Sequence, residues 1–222
     1  ANISEYAFDP TYRYVAYLMH RGDSDESHLE ILDLASSSVV LPEIEQGRYE
    51  NLKWTQWGLT IAKVVVDSLN NTQRTDIKLL RVNSKGVRQF SLAETLSGNL
   101  SQDMVISRYY NSHWSANGNV LFFGIVPKQQ LNTAPNHSVM IWHWKDKEVQ
   151  SRQKNRYYEN RNKALLCAWW PAKNKWKQIV DSTMTGVASI SADGEYVLAV
   201  DDKPYQPHFR EAHRDWYLIN SN

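Results

Sequence analysis

The chain has 222 residues, of which 42% are hydrophobic and 22% charged, and its formal net charge is +1. That length can bury a sizeable core and that composition excludes a disordered chain, while the near-zero charge supplies no long-range field to attract nucleic acid or an anionic membrane surface. No run approaches the roughly 20 apolar residues that a membrane span needs.

The aromatic load is heavy, with nine Trp and twelve Tyr, which all-β proteins accommodate well because each ring covers a large area of sheet. The single cysteine, Cys167, sits in the apolar run ALLCAWW. Without a partner it forms no intrachain disulfide, leaves the redox compartment open and reads as a small buried hydrophobe. The chain opens at Ala1, so a signal peptide or further sequence is expected to have been removed. N-x-S/T triplets at Asn2, Asn70, Asn99 and Asn136 matter only where a secretory glycosylation pathway exists.

In chain order, the pattern predicts a strand over Ile3–Phe8, a turn at Asp9–Arg13 and a return strand over Tyr14–Met19. The polar loop RGDSDES leads to HLEILDL, where Leu29 and Ile31 alternate with Glu30 in the two-residue period of a strand. Ala35–Ser37 turn the chain into a fourth strand, Ser38–Leu41. A second unit repeats this order: Asn51–Trp54, a turn at Gln56–Gly58, Leu59–Val66, a polar connection at Asn70–Arg74, Asp76–Val82, the hairpin turn Asn83–Gly86, and Val87–Leu92. The third unit has strands at Arg108–Trp114 and Asn119–Val126, then a long insertion. Within it HSVMIWHWKD (His137–Asp146) reads as an extra strand and Glu148–Lys163 as a polar, helical or irregular excursion. Strands resume at Ala164–Trp170 and Trp176–Val180, with a turn at Ala172–Lys175. The fourth unit has Gly186–Ile190, a turn at Ala192–Gly194, Glu195–Val200, the loop DDKPYQPHFREAH and a third strand at Asp215–Ile219, and it stops at Asn222 before a fourth.

One phrase runs through all four units: FDPTYRYVAYLM, WTQWGLTIAKVV, WSANGNVLFFGIV and ISADGEYVLAV. Each has an apolar or aromatic start, a short polar turn and an apolar strand. The turn residues Tyr12, Gly58, Gly118 and Gly194 are separated by steps of 46, 60 and 76. A step near 45 is the length of a propeller blade, and insertions between the second and third strands account for the longer ones. One repeat cannot bury its own apolar face and must stack on the next. A β-sandwich of similar strands would not explain the recurrence in register. The expected fold is therefore all-β: β-propeller blades of four antiparallel strands in a partial propeller. The blades fall at about 1–46, 47–97, 104–181 and an incomplete 184–222, with an insertion at 127–163. An open arc of blades leaves apolar faces uncovered, so a homodimer through exposed blade faces, or completion of the ring by another chain, is expected.

Several constellations invite a chemical reading. In HFREAH, His208, Glu211 and His213 could converge on a metal, but the spacing is not that of a zinc helix and an inter-strand loop accounts for it. Asp201, Asp202 and Asp215 are acidic enough for a structural cation, yet a solvated loop is the reading preferred. Arg21–Asp23 is an RGD tripeptide of the kind chance supplies, and the neighbouring Asp25 and Glu26 do not complete a calcium loop. Arg152, Lys154, Arg156, Arg161 and Lys163, interleaved with Tyr157 and Tyr158, resemble a single-strand nucleic-acid surface. Glu148 and Glu159 dilute that patch, and a solvated face or docking against another part of a parent chain is the reading preferred; no nucleic-acid partner is expected. Trp142, Trp144, Trp169 and Trp170 could line a ligand groove, yet aromatic rows on strands more often pack blades together, which is the reading preferred.

The quoted repeat resembles that of the periplasmic Tol-system propeller and of the β-propeller that precedes the hydrolase domain in prolyl oligopeptidase and dipeptidyl peptidase relatives. VMIWHWKDKEVQSRQKNR and YVLAVDDKPYQPHFREAHRDWYLIN further resemble stretches in the propeller of large bacterial members of that peptidase family. The resemblance implies a periplasmic or secreted protein in which the propeller caps a C-terminal α/β-hydrolase domain of the parent chain, admits short peptide substrates and screens out folded proteins. The nucleophile of such an enzyme sits in a G-x-S-x-G elbow. This chain has none, since no two of its nine glycines are four apart. It also lacks the adjacent Glu-Glu pair that holds a substrate's amino terminus in dipeptidyl members. The expectation is thus a segment with no catalytic residue, no metal site, no cofactor, and substrate-binding residues that no motif identifies. A Tol-like interaction module without an enzyme is the alternative, and a lectin-like propeller, suggested only by the tryptophans, is a third reading.

Overall fold

The computed structural model describes residues 2–20, 26–41, 47–67, 72–83, 86–128, 163–206 and 213–222. These are all-β apart from one short α-helix and two 3-10 turns. Most of the strands pair antiparallel with a chain neighbour in meanders, and none of these meanders closes on itself among the described residues. The chain divides into two compact units, Ala1–Arg108 and Tyr109–Asn222.

In the first unit, β1 (Asn2–Phe8), β2 (Tyr14–His20), β3 (Ser27–Asp33) and β4 (Ser38–Leu41) form one sheet in chain order. A second meander follows: β5 (Arg48–Thr55), β6 (Gly58–Asp67), β7 (Thr72–Asn83) and β8 (Gly86–Ser91). Two-residue periodicity aims Tyr14, Ala16 and Leu18 of β2 and Leu29 and Ile31 of β3 into one core with Tyr49, Leu59, Ile61 and Leu80 of the second sheet, and Trp54 stacks on Tyr14 at 6.2 Å. Burial of these side chains supplies the main stabilisation, at about 1.5–3 kcal/mol each before the entropy of ordering is set against it. Polar clasps fix the register. Ser27, fully buried, accepts the Tyr49 N–H at 2.7 Å, and Glu5 accepts the N–H groups of Leu52 at 2.8 Å and Asn51 at 3.4 Å. The latter pair lies in a bulge between Glu50 and Lys53, where the sheet ladder leaves donors without their usual partners.

The second meander departs from the predicted pattern at its end. Instead of a strand reaching Leu92, the chain enters the helix α1 (Leu92–Leu96), capped by Ser91, whose hydroxyl accepts the Glu94 N–H. The Asp76 carboxylate takes the Ala93 N–H at 2.9 Å and the Ser91 hydroxyl at 3.1 Å. Ser91 followed three residues later by Glu94 is a capping-box signature in the sequence. A short strand β9 (Met104–Ile106) then pairs with β7 at Thr75.

The second unit holds β10 (His113–Trp114), β11 (Leu121–Pro127), β12 (Leu165–Trp170) and β13 (Lys175–Gln178) in one meander, and β14 (Gly186–Ile190), β15 (Tyr196–Asp201) and β16 (Asp215–Asn220) in another. Their shared core is Val120, Phe122, Leu166, Ala168, Trp170, Ile179, Val180, Val197 and Ala199. The strand expected over Arg108–Trp114 is a correction, since only His113 and Trp114 pair with β11. Tyr110 instead lies over Gly124 of β11, so close that a Cβ on that glycine would stand 2.7 Å from the Tyr110 Cβ. The turn Pro171–Lys173 is a 3-10 turn ended by Asn174 in the left-handed region at φ 48°, and another 3-10 turn, Lys203–Tyr205, follows β15.

Candidate functional site

The recurring turn is where local sequence becomes geometry. In three of the four copies it is the same six-residue loop. The N–H of Asp9, Ser115 or Ser191 donates to the carbonyl of Tyr14, Val120 or Tyr196, at 2.8–3.0 Å, and the N–H of Tyr12, Gly118 or Gly194 donates back to the carbonyl of the first residue at 2.9 Å. The fourth position, Tyr12, Gly118 or Gly194, takes φ of 55°, 67° or 78°, a region that costs a side chain and favours glycine. Side chains complete each loop: Asp9 accepts the Tyr14 N–H, Ser115 the Val120 N–H and Ser191 the Tyr196 N–H. The second copy departs from the others, because Thr55 pairs directly with Gly58 across a two-residue hairpin.

In the second unit these turns dock on one another. The Ala116 N–H donates to the Ala192 carbonyl at 2.6 Å and the Asn117 amide to the Asp193 carbonyl at 3.1 Å. They thereby hold the ends of β10 and β14 near each other, and between these elements lies a cavity of about 770 Å³, within the range of ligand sites. One wall is aromatic: His113 stacks on Phe122 with ring centres 5.4 Å apart and Tyr110 packs 6.3 Å from His113. Gly186–Ile190 and the turn residues Ser191 and Ala192 line it from the other meander, and Leu166, Val180 and Met184 add apolar surface. Trp114 and Lys163 also line it. The Trp114 indole Nε1 is buried without a hydrogen-bond partner.

The chemistry of this lining is that of binding. Ser115 and Ser191 are engaged by their own turns, donating to Asn117 at 2.8 Å and Asp193 at 2.5 Å. Burial pushes the Cys167 thiol up to about 12, so it carries no thiolate near neutrality and is inert as a nucleophile. Burial, and then the nearby Cys167, push the Tyr110 phenol up to about 12 as well. Burial and the Lys203 charge lower the Lys163 pKa, with Asp202 and Asp201 opposing them. Among the described residues lining the cavity there is no carboxylate.

The constellations singled out in the sequence fare differently. Cys167 is buried and free, as expected of a small hydrophobe. Trp169 and Trp170 are buried in β12, with Lys175 over the Trp170 ring at 5.5 Å, which makes them packing residues. Asp202 accepts the Gln206 amide at 3.0 Å, Asp215 the Tyr205 hydroxyl at 2.6 Å and Asp201 the Lys203 N–H at 3.0 Å, so all three serve the loop. No group of three metal-ligating side chains gathers among the described residues. His213 lies 6.0 Å from Tyr205, whereas His208 and Glu211 lie outside the described residues, as do Arg21–Asp23, Asp25, Trp142, Trp144, Tyr157, Tyr158, Glu148, Glu159 and every basic residue of that patch except Lys163. Tyr110, His113 and Trp114 belong to no binding or catalytic sequence motif. Their signal was the polar break at Asn111 and Ser112 inside an aromatic stretch.

Among the described residues no helix is long and apolar enough to cross a membrane. No protein-family model matches the chain, and no curated protein matches it. Solved structures do. The β-propeller domain of the Trilobed protease from Pyrococcus furiosus is similar at TM-score 0.46 and 12% identity, over 99% of this chain and 55% of that one. A prolyl endopeptidase structure is similar at TM-score 0.47 and 11% identity, over 97% of this chain and 27% of that one. TolB from Acinetobacter baumannii is similar at TM-score 0.39 and 10% identity, over 99% and 41%. The chain thus spans between 27% and 55% of the length of these structures. The structures it is similar to include the β-propeller domains of peptidases.

Proposed function

We propose that this chain is a non-catalytic β-propeller segment that gates or binds peptide substrate for a serine peptidase of the prolyl oligopeptidase type. The observation that carries the reading is the cavity beside β10 and β14. It is walled by Tyr110, His113 and Phe122, its lining serines are held in turn hydrogen bonds, and its thiol neighbour is un-ionised. Such a site can hold a chain of apolar side chains and peptide groups, and it has no activated nucleophile to cleave one. In this reading the blades fall at about 1–46, 47–97, 104–181 and 184–222, the hydrolytic centre belongs to a C-terminal α/β-hydrolase domain of a parent chain, and the setting is periplasmic or secreted. Loops between blade strands narrow the approach, so that short peptides pass and folded proteins do not. Exposed strand faces make a homodimer.

The test uses the 222-residue chain, a fluorophosphonate probe that labels activated serines, and short proline-containing peptides titrated against tryptophan fluorescence. Saturable binding with Kd of about 1 mM or tighter, without labelling or hydrolysis, is the expected result. Serine labelling with peptide cleavage would overturn the non-catalytic assignment. Absence of peptide binding up to that range would leave the Tol-like interaction module as the better reading.

A further inference from the structure

We propose that β14 takes a short peptide as an added strand, the guest lying extended in the cavity and held through its main chain; this rests on the peptide-binding reading above and names the part of the peptide that is recognised. Two observations carry it. The first is pairing. β14 bonds to β15 alone and forms one edge of its meander, and the N–H groups that flank it, of Thr185 and Ser191, also go to that side, onto the Val200 and Tyr196 carbonyls. An antiparallel strand with one neighbour leaves alternate N–H and C=O groups without a ladder partner on its outer side, and no strand among the described residues pairs there. The second is the line the cavity takes. It meets Gly186, Val187, Ala188, Ser189 and Ile190 in unbroken succession. Successive side chains point to opposite faces of a sheet, so a cavity against one face would meet every second residue. One that meets both Gly186 and Val187, and both Ser189 and Ile190, on either side of the register shift between Val187 and Ser189, runs along the edge.

The five residues of β14 present about 17 Å of edge. Donors and acceptors alternate along it with the spacing of another extended chain, so a strand is the ligand it fits. The aromatic wall of Tyr110, His113 and Phe122 offers apolar cover to the guest's side chains. The register shift interrupts regular pairing after a few residues, which suits a short guest and opposes open-ended growth of sheet on sheet. For a gating segment the consequence is selective: main-chain capture accepts many side chains but requires an extended segment, which a folded protein, its strands already paired, does not present.

The experiment titrates the 222-residue chain with the doubly capped peptide Ac-Ala-Val-Ala-Phe-Ala-NH2, whose ends carry no charge, and with its analogue N-methylated at two adjacent central residues, and follows hydrogen exchange of the chain by mass spectrometry. Adjacent methyl groups remove an N–H from each side of the guest strand, so turning the guest over does not restore the pairing. The parent peptide is expected to bind at least about tenfold tighter than the analogue. It is also expected to slow exchange in Gly186–Ile190 by about tenfold while exchange in β2 and β3 stays unchanged. Equal affinity for the two peptides, or binding with no added protection of β14, would overturn the added-strand assignment and leave peptide binding standing. Binding of neither peptide would overturn both. Uniformly slow exchange across β14 in the free chain would show the edge already covered and overturn the assignment as well.

Discussion

At the scale of single residues, the recurring turn makes opposite demands at equivalent positions. Gly194 adopts φ 78°, and a Cβ there would stand 3.0 Å from the Ser115 Cβ and 3.3 Å from Phe122 Cε2. Gly194→Ala therefore combines left-handed strain with overpacking, and is expected to cost about 1–3 kcal/mol. Tyr12 occupies the equivalent position at φ 55° with its side chain 73% exposed. Tyr12→Gly relieves strain there while adding freedom to the unfolded chain, for a net gain of about 0–1 kcal/mol. Urea denaturation midpoints of the two variants should move in opposite directions; movement in the same direction would mean that the loops do not share one conformation. Ser115 and Phe122 also line the cavity, so the turn that a repeat needs for its own hairpin also shapes the candidate site.

At the scale of elements, β3 and β5 meet through one buried hydroxyl. Ser27 accepts the Tyr49 N–H at 2.7 Å, and its own N–H donates to the Gly47 carbonyl at 2.8 Å. Ser27→Ala keeps the backbone bond but takes an acceptor from a buried donor, which costs about 1–3 kcal/mol. Ser36→Ala, in the exposed turn between β3 and β4, is expected to stay within about 0.5 kcal/mol. Chemical denaturation of both variants checks the contrast, and equal effects would show that the clasp contributes nothing. Gly124 is the corresponding device in β11: its missing side chain is the space that Tyr110 occupies on the way to the cavity.

At the scale of the whole molecule, apolar side chains remain on strand faces that a globular protein ordinarily covers. Ile3, Tyr6 and Phe8 of β1 are exposed, as are Trp216 and Leu218 of β16, the last at 71%. Exposed apolar strand surface of this kind favours self-association. Light scattering is expected to give about twice the 25.8 kDa of one chain, and lysine at both 216 and 218 (Trp216→Lys with Leu218→Lys) to restore the monomer. A wild-type monomer that binds no hydrophobic dye would contradict this.

The strand meanders were legible in the residues because side-chain alternation and turn chemistry are local. Leu29 and Ile31 in β3, the 58, 118 and 194 glycines, and the apolar run that became β12 each carry their assignment within a few neighbours. Departures arose where a partner distant in sequence decided the outcome. Arg108–Trp114 has the aromatic content of a strand, yet Gly124 lets Tyr110 pack across it and only His113 and Trp114 join the ladder. Leu92 looked like the end of a strand until Asp76, in β7, met Ala93 and Ser91 and helped start a helix. The candidate site belongs to the second kind. No motif joins Trp114, Lys163 and Ile190, because what joins them is the docking of two turns, Ala116 on Ala192, that lie 76 residues apart. The sequence by itself determined an all-β chain of repeated strand-turn-strand units and the absence of a nucleophile elbow. Only the tertiary structure decided which aromatic rings pack as core and which line a cavity, since that depends on what each sheet face meets across the fold.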